Sequence, residues 1–320
     1  MKEGTLTGVT PSVSEPTLAY PPCQGVTLRA AWTELQQTSI DPALTRLDRS
    51  TLLDRMRQNQ PAERRFKVRH WPNQGVIQVG WGVYKPEQKQ PGGRAVSAQE
   101  REDNQQRATR RAAGQLRRDL LTIAADRMLT LTYRDNMTDR GRAVADLARF
   151  NRAMKTRFEH WASVAVLEWQ VRGSAHFHLG VAGFYPVEDV RTVWRSIVGD
   201  GNIDIAFRPD GRGNQFSKLA SYMAKYLTKN LDHGRKPGEH RYFRCQVPEH
   251  PTETYYIPAT CPLGIETVMS IEAVQEALQL RDLSHCTLWQ SVSGIGGAGF
   301  VSAEINQPRH EPLFSGVGHA

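Results

Sequence analysis

The sequence predicts an α+β fold: an antiparallel sheet in ferredoxin-like or RRM-like order, with helices on one face and the active site on the other. Three observations carry this. Between Met128 and Leu231 the segments run β-α-β-β-α-β and then helix, the split βαβ order. The second and third strands are joined by "QVRGS", a connection short enough only for a hairpin. The intervening helices are amphipathic, the first with Val144, Leu147, Met154 and Phe158 on one side and the second with apolar residues at i, i+3, i+4 and i+7, so each covers one side of a sheet.

Taken in order, residues 1 to about 60 are rich in Pro, Thr and Gln, with one expected helix from Pro42 to Gln58. "FKVRHWPNQGVIQVGWGVY" reads as a hairpin turning at Asn73 to Gly75. "KPEQKQPGG" breaks the pattern, and a helix follows over about Ala98 to Ala125. "MLTLTY" (Met128–Tyr133) is a strand. A helix over Gly141 to Phe158 places Val144, Leu147, Met154 and Phe158 on one side. "WASVAVLEW" and "AHFHLGVAGF" are strands, and Pro186 opens a helix carrying Val190, Val193, Trp194 and Ile197. "NIDIAF" is a short strand before a helix from about Gln215 to Leu231. The expected organisation is an accessory region with a hairpin (1–95), a catalytic domain led by an Arg-rich helix (96–245), an accessory segment (246–290) and a flexible tail (291–320).

Lys and Arg number 41 against 33 Asp and Glu, a formal +8, which points to a polyanionic partner. Much of the excess is arginine, as in "RATRRAAGQLRRD", whose guanidinium forks suit phosphate oxygens. Arg110, Arg111, Arg117 and Arg118 are candidate DNA contacts, with Arg172 at the hairpin turn. The four cysteines form no CxxC pair, and their spacing is not that of a disulfide framework. His240, Cys245, His250 and Cys261 fit no zinc pattern. With no apolar run of membrane-spanning length and no signal core, the chain is expected in a reducing cytoplasm, that of a bacterial host cell. No GxxxxGK[ST] stretch marks a built-in ATPase.

"SAHFHLGV" carries the chemistry. On a strand His176 and His178 share one face, while Phe177, Leu179 and Val181 share the other. By itself such a pair also suits two hydrogen-bonded histidines on a half-exposed sheet. A hairpin centred on Arg172 sets Glu168 directly opposite His176, on the face of both imidazoles. Two imidazoles and one carboxylate suit Mg²⁺ or Mn²⁺, with zinc also open on ligand type alone, and leave coordination positions open. A one-residue slip of register would send Glu168 to the other face.

The last helix, "FSKLASYMAKYLTKNL", gathers Phe216, Leu219, Met223 and Leu227 in one arc. The neighbouring arc holds Lys218, Tyr222, Lys225, Tyr226 and Lys229. A metal polarises a phosphodiester, a phenol attacks phosphorus, and lysines stabilise the anionic transition state.

These blocks resemble the HUH endonucleases, and within them the rolling-circle replication initiators of phages and plasmids. "MLTLTY" is similar to the family's first motif. "HFHLGV" matches its histidine–hydrophobe–histidine motif, which implies His176 and His178 as metal ligands, with Glu168 where a third is expected. "YMAKYLTK" matches the two-tyrosine motif, which implies Tyr222 and Tyr226 as nucleophiles and Lys225 as the motif lysine. The resemblance implies nicking of single-stranded or hairpin origin DNA, a 5′-phosphotyrosine, a free 3′ hydroxyl primer, and a host helicase and polymerase as partners. A two-tyrosine transposase would share the chemistry. A relaxase places its tyrosine before the histidines, the reverse of the order here. A non-catalytic module for single-stranded nucleic acid would account for the charge but not for the Glu168–His176–His178 convergence.

Overall fold

The computed structural model describes residues 64–83, 97–206, 214–229, 239–257, 265–279, 286–292 and 298–305. The expected helix from Pro42 to Gln58 lies outside them. The chain builds two five-stranded antiparallel sheets. The first two strands, β1 (Arg64–Trp71) and β2 (Val76–Val83), form the predicted hairpin. A 3-10 turn over Pro72–Gln74 leads into Gly75 at φ 61°, a left-handed conformation that glycine adopts without cost. Helix α1 (Ala98–Thr122) starts at a capping box: the Ser97 hydroxyl accepts from the Glu100 N–H, and the Glu100 carboxylate accepts from the Ser97 N–H.

The segment bearing the histidines and tyrosines follows as β3 (Arg127–Tyr133), α2 (Arg140–Arg157), β4 (Ser163–Trp169), β5 (Ala175–Val181), α3 (Val187–Val198), β6 (Gly201–Ala206) and α4 (Gln215–Lys229). Its strands lie in the order β6-β3-β5-β4, the ferredoxin-like order, and a short β7 (Phe243–Cys245) adds to β4. One face is apolar in alternate positions (Leu129, Leu131, Leu167, Phe177 and Leu179) and packs on Leu147 and Phe150 of α2 and Trp194 of α3. This is the helical face the segment order predicts.

The opposite face is not wholly free. Helices α1 and α4 cover part of it, burying Leu116, Leu120, Ala220, Met223 and Leu227 against Val164 and Val166. The site is confined to the remainder. Both are amphipathic helices that must bury a stripe, and the apolar part of this face, Val164 and Val166, receives it. Gly180 on β5 permits their approach: a Cβ there would stand 2.1 Å from Leu120 Cδ2 and 3.0 Å from Met223 Sδ. Gly180→Ala should therefore prise the helices from the strand that carries both histidines, costing about 1–3 kcal/mol. A thermal melt of the variant checks this, and an unchanged midpoint would refute it.

The second sheet has the order β8-β1-β2-β10-β9. It joins the N-terminal hairpin to β8 (Thr252–Ile257), β9 (Cys286–Val292) and β10 (Gly299–Ile305), with α5 (Ile265–Ala277) on one face. Segments read separately as 1–95, 246–290 and 291–320 thus contribute to one sheet, and β10 lies inside the stretch expected to be a flexible tail. Pairing between strands as distant in sequence as β1 and β8, or β2 and β10, leaves no local signature. The hairpin extends this sheet rather than the one bearing the histidines. The core is Phe66, Ile77, Val79, Trp81, Ile257, Val301 and Ala303, and a buried Arg64–Glu266 pair at 2.6 Å ties β1 to α5.

The two sheets meet at the start of α4. Asn214 caps that helix, its side-chain oxygen accepting from the Ser217 N–H, while its amide donates to the backbone oxygens of Gln74 and Ile305. Trp71, Val76, Leu121 and Phe216 pack beside it, and the Trp71 indole donates to the Thr122 hydroxyl. His250 meets Asp119 at 2.7 Å, a carboxylate that also accepts from Tyr242 and Arg244. Cys261 lies outside the described residues.

Glu304 of β10 is buried at this junction, and burial pushes its carboxyl up to about 7 despite opposing contributions from Ser217 and Lys218. A raised folded-state pKa favours the protonated form. The resulting penalty is absent below the unfolded carboxyl value near 4.5, grows as pH rises to about 7 and is constant above it. Glu304→Gln should accordingly raise stability relative to the parent at pH 8, and the gain should vanish at pH 4. Urea melts at the two pH values check the sign.

Candidate active site

Register places the site. On the β4–β5 hairpin Glu168 pairs with His176, the register predicted from a turn centred on Arg172. On the other side of β5, Thr130 pairs with His178 and Thr132 with His176. All these positions alternate onto the face that α1 and α4 leave partly open.

The imidazoles stack with ring centroids 4.8 Å apart. His178 is buried; its Nε2 meets Glu168 Oε2 at 2.7 Å and its Nδ1 lies 3.4 Å from the Thr130 hydroxyl. His176 Nδ1 faces the Gln170 amide at 2.8 Å, and Nε2 the Thr132 hydroxyl at 3.3 Å. Desolvation, followed by repulsion from His178, lowers the His176 pKa to about 4. His176 is thus neutral at pH 7, the state in which an imidazole offers a lone pair to a metal.

Among the described residues, no group of three His, Cys, Asp or Glu side chains already encloses a cation position. Glu168 and His178 instead meet each other directly. The donor set still fits a hard or borderline cation: two imidazoles and a carboxylate share one sheet face, and His176 is kept neutral. A cation held by these residues would replace the hydrogen bond between Glu168 and His178. Thr130 touches the remaining nitrogen of His178, as residues that orient ligands do, while Gln170 and Thr132 engage both nitrogens of His176, so a cation there would replace one of these two contacts.

Helix α4 brings the tyrosines to this face. The Tyr226 ring stacks on His178, centroids 4.0 Å apart and planes 19° from parallel. Its hydroxyl donates to the Tyr222 oxygen at 2.7 Å. Burial, that hydrogen bond and the Glu168 charge push the Tyr226 phenol well above its ordinary value. Tyr222 is 46% exposed. Lys218 and Lys225 are exposed along the same helix; Lys229 closes it, and its side chain lies outside the described residues.

The candidate DNA contacts divide. Arg110 and Arg111 are exposed on α1, whereas Arg117 and Arg118 are half-buried and Arg118 donates to Gln115. Arg172 turns back onto the hairpin, donating to Gln170 Oε1 and to the Tyr133 carbonyl. It therefore holds Gln170, and through it His176. The roles of Thr130 and Thr132 were not assigned from sequence. Their signal was present: the T-x-T of "MLTLTY" has the same period as H-x-H, and adjoining strands bring the two into register.

Residues 126–231, from just before β3 to just past α4, match the sequence model of a family described as replication-associated protein, of the ORF2 type. The match spans the strands, histidines and tyrosines of this site, and is consistent with a role in starting replication. Comparison with curated proteins and with solved structures gives no match. Among the described residues no helix is long and apolar enough to cross a membrane.

Proposed function

We propose that this protein is a metal-dependent, site-specific DNA nickase and strand transferase that initiates rolling-circle replication. One observation carries the reading: Glu168, His176 and His178 share a sheet face on which Tyr226 is stacked, with Tyr222 hydrogen-bonded to it. The replication-associated match over this segment supports it.

His176, His178 and Glu168 would hold Mg²⁺ or Mn²⁺, which when bound polarises a non-bridging oxygen of the scissile phosphate. The protein's own part is nucleophilic. A phenol oxygen of α4 forms a bond to phosphorus as the bond to the 3′ oxygen breaks. The departing oxygen takes a proton and becomes the 3′ hydroxyl primer, while the 5′ phosphate stays on the tyrosine. Lys218 and Lys225 flank Tyr222 and offset the charge that builds on phosphate. The second tyrosine can then receive a second strand end, so that cutting and rejoining are run by one helix.

Covalent capture tests the reading. Incubated with single-stranded origin DNA and Mn²⁺, the protein should yield an adduct that survives SDS and disappears with EDTA. Tight binding with no adduct under any metal would leave a nucleic-acid-binding module instead.

A further inference from the structure

We infer that the face of the second sheet turned away from α5 is a docking platform for single-stranded DNA, separate from the nicking site. The inference rests on the nicking reading for the identity of the strand, and on its own geometry for the surface.

Register defines the face. Along β1, Arg65, Lys67 and Arg69 alternate onto it, while Phe66 and Val68 point into the core shared with α5. Side chains two residues apart on a strand stand ~6.7 Å from one another, so the three cations form a line. On the edge strand β8, Tyr256 pairs with Arg65, whose guanidinium lies 5.6 Å over the ring. On the other flank, Gly80 and Gly82 of β2 pair with Lys67 and Arg65 and present no side chain. Beyond them Phe300 pairs with Gly80, and Trp289 of β9 pairs with Ser302. Phe300 and Trp289 are among the few large apolar residues exposed in the described chain, at 38% and 49%.

The face is thus a cationic line, a glycine-floored strip and two exposed aromatic rings, side by side. A single strand matches each feature: phosphates for the cations and unpaired bases for the rings. A duplex has its bases stacked inside and gives the rings nothing. Glu304, a carboxylate on this face, sits at the far end against α4, beside Lys218. Burial and the neighbouring Arg65 and Arg69 depress the Lys67 pKa, the mark of cations held close together. The location is also apt. The platform ends where Asn214 caps α4, and Lys218 lies one turn before Tyr222, so a strand lying on the sheet is led towards the nucleophiles.

Binding of fluorescent oligothymidine of 30 nucleotides, to a chain carrying Tyr222→Phe and Tyr226→Phe, reads the platform without covalent capture. In that background Arg65→Glu with Lys67→Glu should weaken binding at least tenfold and reduce the salt slope by about 1.4, two contacts at ~0.7 each for single strands. Trp289→Ala, on a different strand, should weaken binding about tenfold with the slope unchanged, since stacking releases no counterions. Affinity and slope within twofold of the parent for both variants would overturn the platform. So would tighter binding of a duplex, or of oligouridine, than of oligothymidine. With the tyrosines restored, Arg65→Glu with Lys67→Glu should still form adducts on the shortest oligonucleotide that is nicked. Failure of the wild type to form any adduct would sink the nicking reading, while the oligothymidine measurements would still decide the platform.

Discussion

Glu168→Gln and His178→Ala should each lower divalent-metal-dependent cleavage on the order of a thousandfold or more, because polarisation of a phosphoryl oxygen is worth several kcal/mol. The two variants fail for different reasons, and the comparison is informative. Glu168→Gln keeps the size of the side chain and an acceptor for the His178 ring 2.7 Å away, but removes the negative charge. Its fold should be unchanged, and only its metal affinity should fall, which isothermal titration with Mn²⁺ reads directly. His178→Ala also removes the ring on which Tyr226 stacks, and leaves Thr130 and Glu168 without that partner. It should lose activity and also melt earlier. His176→Ala should abolish cleavage in the same way, freeing the Gln170 amide. The sharpest test is Glu168→Ala in Mn²⁺. Full cleavage there would remove Glu168 from the metal site and install Gln170, which lies on the same strand face, as the third ligand.

The candidate site could be read from sequence because its parts are local. His176 and His178 are two apart on one strand, Glu168 faces them across a hairpin of five linking residues, and Tyr222 and Tyr226 are one helical turn apart. In each case the backbone period alone fixes the shared face. The ferredoxin-like strand order followed for the same reason, since βαβ units are built from neighbours in sequence. What sequence did not reveal was set by distant contacts. The sheet that joins β1 and β2 to β8, β9 and β10 depends on pairings such as Val79 with Val301, which no window of sequence contains. The same holds for Asp119, the last residue of the Arg-rich stretch "RATRRAAGQLRRD". It is fully buried and gathers Tyr242, Arg244 and His250 from the far end of the chain. Arg118 and Arg172 were read as DNA contacts from charge alone. Their guanidinium groups also donate to Gln115 and to the hairpin, because a guanidinium with five N–H donors bonds whichever neighbouring acceptor lies within reach.

Replacing both tyrosines by phenylalanine should eliminate the covalent adduct and leave DNA binding intact, because Lys218 and Lys225 are untouched. The single variants should differ from that and from each other. The two side chains leave the helix ~6 Å apart along its axis, and their rings stand 89° to one another. They therefore approach a phosphate from different directions, and one phosphate cannot be in line with both. Each single variant should retain some nicking of a short oligonucleotide and lose the coupled cut-and-rejoin cycle. Two features compete over which attacks first. Proximity favours Tyr226, whose ring lies on His178. Protonation favours Tyr222. Tyr226 donates the hydrogen bond between them and, being buried beside the Glu168 charge, holds its proton more tightly than an ordinary phenol. The Tyr222 oxygen is the acceptor, so an anion forming there is already hydrogen-bonded. A nucleophile must lose its proton to attack, and a phenol well above its usual pKa is the poorer choice. Tyr222 should accordingly be the first nucleophile, with Tyr226 taking over once the first strand end is bound and the hydrogen bond between them is broken. Tyr222→Phe should slow the first nick more than Tyr226→Phe does, and peptide mapping of the trapped wild-type adduct should find DNA on Tyr222. An adduct only on Tyr226 would show that closeness to His178 outweighs the proton; DNA on neither residue would end the covalent mechanism.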